Sequence, residues 1–138
     1  MSNVLAQDAL VNSTCEMEEP MYPYPEEDEL VSFFEVEPKI INRAVGLDCS
    51  ILIFHKTFGE EDIYCEIDFV YGRIRFTWKR QSKPEVSLEL RDIQSLELRT
   101  DKDIQALIAK FSQEGQLLDF ELRLKPQIRV KLGDDVLP

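Results

Sequence analysis

Few side chains in this sequence are candidates for chemistry. There is a single histidine, His55, and three widely spaced cysteines, Cys15, Cys49 and Cys65. An odd, scattered set without a CxxC pair argues against a disulfide framework. A catalytic thiol needs an activating neighbour, and His55 alone would have to supply it. Cys65 falls on the apolar side of an alternating stretch, where a reduced thiol behaves as a small hydrophobe. His55 with Glu60, Glu61 and Asp62 is the one cluster with metal-ligand chemistry. A lone histidine beside a charged turn reads better as a solvated loop, so no metal site is assigned. Glu66 and Asp68 lie on one strand face, as the paired carboxylates of a glycosidase do. Cross-strand ion pairing with Arg75 and its neighbours accounts for them more simply. The five glycines are not clustered, so there is no phosphate-cradling loop, no dinucleotide fingerprint and no cofactor. No serine sits in a nucleophile motif, and no catalytic residue is assigned.

The element that must position these residues is Asp62–Arg80. Ile63, Cys65, Ile67 and Phe69 alternate with polar positions, and after Tyr71-Gly72 the alternation resumes at Ile74, Phe76 and Trp78. Period two over this length predicts two half-buried strands joined by a tight turn. With Tyr71-Gly72 as a two-residue link, Phe69 faces Ile74, Ile67 faces Phe76 and Cys65 faces Trp78. Asp68 then meets Arg75, and Tyr64 meets Lys79.

Taken in order, the chain opens with a short, weak helical pattern over Val4–Val11. Residues 20–29, PMYPYPEEDE, contain three prolines and read as extended rather than helical. Leu30–Val36 is apolar enough to dock as a strand or fill a groove. A short helical turn is expected over 40–45. Ser50–His55 is a buried strand, and Val86, Leu88 and Leu90 mark another. Asp92–Leu98 extends the sheet with a bulge, because Ile93 breaks the alternation that Leu96 and Leu98 resume. Ile104, Leu107, Ile108 and Phe111 recur at i, i+3, i+4 and i+7, with Thr100 or Asp101 as cap and Gly115 as stop. This predicts one amphipathic helix over about 101–114. Leu118–Leu124 and Ile128–Leu132 form a second hairpin, with Leu124 opposite Ile128 and Leu122 opposite Val130. The expected fold is therefore α+β. It has a mostly antiparallel sheet of six or seven strands, curled or barrel-like, with the helix packed on it.

Strands followed by a late helix resemble small barrel-like domains of the pleckstrin-homology type. Those domains normally end on the helix, whereas two strands follow it here. Their phosphoinositide role requires a basic loop cluster that this sequence lacks, so the resemblance carries no function over.

Charge divides the chain more sharply than hydropathy does. Its net charge is −11, and residues 1–38 hold ten carboxylates and no lysine or arginine. We divide it into an acidic, Pro/Tyr-containing arm (1–38) and a single β-rich domain (39–138). No apolar run approaches the roughly 20 residues of a membrane helix. The N-terminus lacks the basic start of a signal peptide, which points to the cytoplasm. In the arm, Tyr22, Tyr24, Phe33 and Phe34 stand among Glu26, Glu27, Asp28 and Glu29, a pattern suited to partner recognition. Arg73, Arg75 and Lys79 on one hairpin, and Arg123, Lys125, Arg129 and Lys131 on the other, make a basic sheet face if the two faces adjoin. These features indicate a non-enzymatic protein-interaction module (an adaptor, assembly factor or inhibitor) that docks a protein partner through the arm and the sheet surface. One alternative is a nucleic-acid-binding module with an autoinhibitory arm. Another is a small enzyme of unrecognised type, with a pocket near His55. Nothing in the sequence fixes the oligomeric state.

Overall fold

The computed structural model describes residues 21–41, 50–111 and 119–137. The Val4–Val11 helical pattern and most of the 40–45 turn lie outside these. Among the described residues the chain forms one helix and ten antiparallel strands, an α+β fold. The helix is α1 (Glu27–Phe34). The first sheet runs β1 (Lys39–Ile41), β2 (Ile51–Phe58), β3 (Glu61–Asp68), β4 (Arg73–Arg80) and β5 (Lys83–Leu90). The second runs β6 (Ile93–Asp101), β7 (Ile104–Phe111), β8 (Phe120–Arg123), β9 (Arg129–Leu132) and β10 (Asp135–Leu137). Each strand pairs with its neighbour in the chain, so each sheet is a meander. The expected single sheet of six or seven strands is thus two sheets of five. Arg91 and Asp92 link them.

Alternation explains the layering. Leu52, Ile67 and Phe76 from the first sheet, and Leu107, Phe120 and Leu122 from the second, are fully buried in one core. Phe76 and Phe120 meet across the sheets with ring centroids 6.0 Å apart. Burying each such side chain contributes roughly 1.5–3 kcal/mol. The β8–β9 register matches the sequence reading, with Leu122 opposite Val130. The bulge also falls where expected, between Ile93 and Ser95.

Three expectations are corrected. Of the expected helix, residues 101–111 are described, and they hold none. Asp101 pairs with Ile104, and the intervening Lys102 and Asp103 both have positive φ (52° and 69°), closing a two-residue hairpin between β6 and β7. The helical spacing was misleading because Ala106, Leu107, Ile108 and Ala109 are all buried. A strand covered on both faces is continuously apolar and imitates a helix stripe. The pleckstrin-homology resemblance, which rested on that helix, falls with it.

The central hairpin exists, but its register differs by two. Ile67 pairs with Ile74, Cys65 with Phe76, and Asp68 with Arg73. A slip of two preserves every facing direction, so the apolar and polar sets are as expected. The link is four residues because Asp68 organises it: its Oδ1 accepts from the N–H groups of Val70 (3.0 Å) and Tyr71 (3.2 Å). Gly72 closes the link at φ +62°. A Cβ there would lie 2.6 Å from the Ile93 carbonyl oxygen, where this turn abuts the second sheet.

The third correction concerns residues 27–36. Glu27–Phe34 is helical, not extended, and it docks as a helix, not a strand. The prolines end at residue 25, and Glu29 Oε1 accepts from the Glu26 N–H at 2.9 Å, anchoring the first turn. Glu27, Asp28 and Glu29 there complement the helix dipole. Leu30, Phe33 and Phe34, at i, i+3 and i+4, are buried, and Phe34 stacks on Phe54 at 4.3 Å. Upstream, the Tyr22 N–H donates to Gln94 O, and the Leu96 N–H donates to Pro23 O, both at 2.9 Å. Residues 22–23 thus line the edge of β6, and residues 21–34 share the core of the sheets.

Candidate functional site

The residues nominated for chemistry do not converge. Alternation turns Cys65 inward, fully buried, and burial pushes its thiol up, away from nucleophilic character. His55 projects from β2 on the outer face, its side chain 60% exposed. Its Nε2 lies 2.8 Å from Asp62 Oδ1, and the Thr57 hydroxyl donates to that same oxygen at 2.9 Å. Burial alone would raise the Asp62 carboxyl; the His55 and Thr57 hydrogen bonds outweigh it and lower it. Glu61 turns elsewhere, accepting from Trp78 Nε1 at 3.0 Å, and Glu60 accepts from Gln81. Among the described residues no group of three or more His, Cys, Asp or Glu side chains is placed to hold a metal ion. Glu66 accepts from the Tyr64 hydroxyl at 2.7 Å, and burial together with that bond raises the tyrosine. Asp68 is held by the turn and by Arg73 Nη2 at 3.1 Å.

The acidic segment divides by burial. Phe33 and Phe34 are core residues, not surface anchors. Tyr24 is half-buried against Phe69, with centroids 5.0 Å apart. Tyr22 stays 74% exposed; Glu26 at the N-cap and Asp28 and Glu29 on the first turn of α1 are exposed too, and Glu27 is half-buried. What remains at the surface is Tyr22, on the segment along the β6 edge, and three carboxylates at the start of a helix whose other face is locked into the core. At the far end of α1, Glu35 pairs with Lys125, whose ammonium holds the carboxyl below its usual range.

The basic residues are not brought together. Arg73, Arg75 and Lys79 lie on the outside of the first sheet, among partners: Arg73 with Asp68, and Arg75 with Glu89 at 3.7 Å. Arg123, Arg129 and Lys131 lie on the outside of the second sheet, and Lys125 lies in the β8–β9 link. That second face also contains a hollow of about 200 Å³ that the sequence did not reveal. Its floor is Ile104, Ala106 and Ile108 of β7, and its walls include Arg99 of β6 and Glu121 and Arg123 of β8. Arg99 pairs with Glu97 at 2.9 Å, and Arg123 with Glu121 at 2.7 Å. Glu97, Arg99 and Asp101 alternate in the sequence, and that pattern could have flagged β6. The helix reading of the next stretch hid their neighbours.

No protein-family model and no curated protein matches the sequence. Among solved structures, the chain is similar to one chain of a contact-dependent growth inhibition toxin–immunity protein complex from Klebsiella pneumoniae 342. The TM-score is 0.72 at 22% identity, covering 83% of this chain and 97% of that one. The likeness is one of fold. Among the described residues no helix is long and apolar enough to cross a membrane.

Proposed function

We propose that this protein is a non-enzymatic interaction module that acts by occupying a partner protein, most concretely as an inhibitor. The observation that carries this reading is the acidic start of α1 and the exposed Tyr22 on the segment that leads into it. Tyr22, Glu26, Asp28 and Glu29 are exposed, while Leu30, Phe33 and Phe34 of the helix are buried. Carboxylates on a helix fixed by its own core, and a tyrosine on a segment hydrogen-bonded to the β6 edge, lose little conformational entropy on docking. They suit a basic patch on a partner, and the net charge of −11 would steer such a partner in. The fold shared with a chain of a toxin–immunity complex supports a protein complex as the working state.

The test is affinity capture from the native cell with the full chain, beside the Tyr22→Ala/Asp28→Lys double variant. The captured protein is then purified and titrated calorimetrically. The proposal expects one protein bound in fixed stoichiometry, with the double variant at least about tenfold weaker. Capture of no protein, or equal affinity for both forms, overturns it. Removing all of residues 1–38 would be uninformative, because α1 fills the core.

A further inference from the structure

The outer face of the second sheet carries an arrangement that the fold does not require. Arg99 pairs with Ala106 across β6 and β7, and Arg123 pairs with Arg129 across β8 and β9. The β7–β8 register, in which Leu107 meets Leu122 and Ile108 meets Glu121, sets Ala106 beside Arg123 when carried one step further. One rung therefore crosses four strands with three arginines and a single alanine between them. Like charges directly opposite one another destabilise an antiparallel pair. Arg99 and Arg123 are each answered by a glutamate two residues away on their own strand. Among the described residues neither Arg129 nor Lys131 makes a close ion pair, although Lys131 stands opposite Glu121 across β8 and β9. On this face cations outnumber carboxylates, although the chain as a whole carries −11.

Beside the rung runs the apolar floor of the hollow. Ala106 and Ile108 point outward from β7 yet are only 6% and 3% exposed, because long side chains on β6 and β8 wall them in. From this we infer that the hollow is a docking site for an acidic segment of a partner protein. An aliphatic side chain of that segment lies on the Ile104–Ala106–Ile108 floor, and a flanking carboxylate sits between Arg123 and Arg129. A guanidinium fork matches a carboxylate bidentately, and Arg129 has its donors available for one. The small Ala106 leaves the room.

A protein fits better than a nucleic acid. Asp101 and Glu121 line the same hollow and would repel a continuous phosphate backbone, whereas a single carboxylate can pass between them. The apolar floor has no counterpart in a phosphodiester chain, and the overall negative charge opposes the approach of a polyanion. The inference rests on the protein-binding reading above and adds a second contact surface, opposite in charge to the acidic start of α1.

The test needs no natural partner. Isotope-labelled full-length chain is titrated with the acetylated, amidated tripeptide Glu-Leu-Glu, with Lys-Leu-Lys and a short DNA duplex in parallel, while NMR follows the Arg123 and Arg129 side chains and the Ala106 amide. The expected result is saturable shifts at these three with Glu-Leu-Glu, Kd roughly 1–10 mM, and none with Lys-Leu-Lys. Arg129→Glu should weaken binding at least about tenfold, and Arg75→Glu on the other sheet should not. No shift at the rung with Glu-Leu-Glu up to about 20 mM, or stronger shifts there with DNA, overturns the inference. If the captured partner is lost by the Tyr22→Ala/Asp28→Lys double variant but bound at full strength by Arg129→Glu, this inference falls and the proposed function stands.

Discussion

The outer faces of the two sheets are made from the same residue types and solve the same electrostatic problem differently. On the first sheet, charges alternate from strand to strand. Arg75 of β4 lies between Glu66 of β3 and Glu89 of β5, and Arg73 faces the buried Asp68. Each such pair ties one strand to the next and penalises a slipped register. On the second sheet, Arg99 and Arg123 pair along their own strands, two residues away, and the ion pair that crosses the ladder, Lys110 with Glu97 at 3.5 Å, lies off the arginine rung. Arginine there faces arginine. The first face is arranged as folding alone would select. The second leaves positive charge in excess, and an external carboxylate would relieve it.

The largest expected effect lies on the first face. Asp68 is 4% exposed and accepts from two backbone N–H groups and from Arg73. Asp68→Ala leaves all three donors without their acceptor, and should cost about 3 kcal/mol in urea denaturation. Asp68→Asn keeps an oxygen for the turn and loses the charge and the acceptor that face Arg73, so it should cost about 1–2 kcal/mol. Equal losses in the two variants would mean that Arg73, not the turn, is what Asp68 serves.

Acid sharpens the same face. Asp62 titrates below its ordinary 3.8, because the hydrogen bonds from His55 and Thr57 to its charged form outweigh its partial burial. A folded-state pKa below the unfolded one contributes stability that is present above the unfolded value and lost as pH falls through the folded one. The stability gap between wild type and Asp62→Asn should therefore shrink as pH falls below about 4 and close once Asp62 is protonated in the folded state too. A gap that does not shrink with acid would remove the charged form as its source.

How far the sequence disclosed these faces follows from what alternation can and cannot encode. The β8–β9 hairpin was legible to the register, because Phe120, Leu122 and Leu124 alternate cleanly and Lys125–Gln127 mark the link. The β3–β4 hairpin was legible in its faces but not its register, since nothing local says that Asp68 will leave the ladder to hold a turn. The β6–β7 hairpin was hidden. Ile104, Leu107, Ile108 and Phe111 fit a helix stripe as well as a strand, and only the walls supplied by β6 and β8 bury the outward Ala106 and Ile108. In α1 the cue was present: Glu26 and Glu29 at capping spacing, then Leu30, Phe33 and Phe34. The prolines before it masked it. Arg123 and Arg129 could be named from the sequence, but their rung could not, because Arg99 and Ala106 join it only through the pairing of strands.

The smallest effect on stability is the most discriminating. Arg129→Glu puts a carboxylate opposite Arg123, turning a like-charge pair into an ion pair on an exposed surface. It should stabilise the protein by about 0.5 kcal/mol. The matching change on the first sheet, Arg75→Glu, puts a third carboxylate between Glu66 and Glu89 and should destabilise by about as much. Opposite signs from the same substitution, read from denaturation midpoints at low salt, are the signature of one face settled by folding and one left open for a partner. If Arg129→Glu destabilises instead, the arginine rung is structural and the two faces are alike.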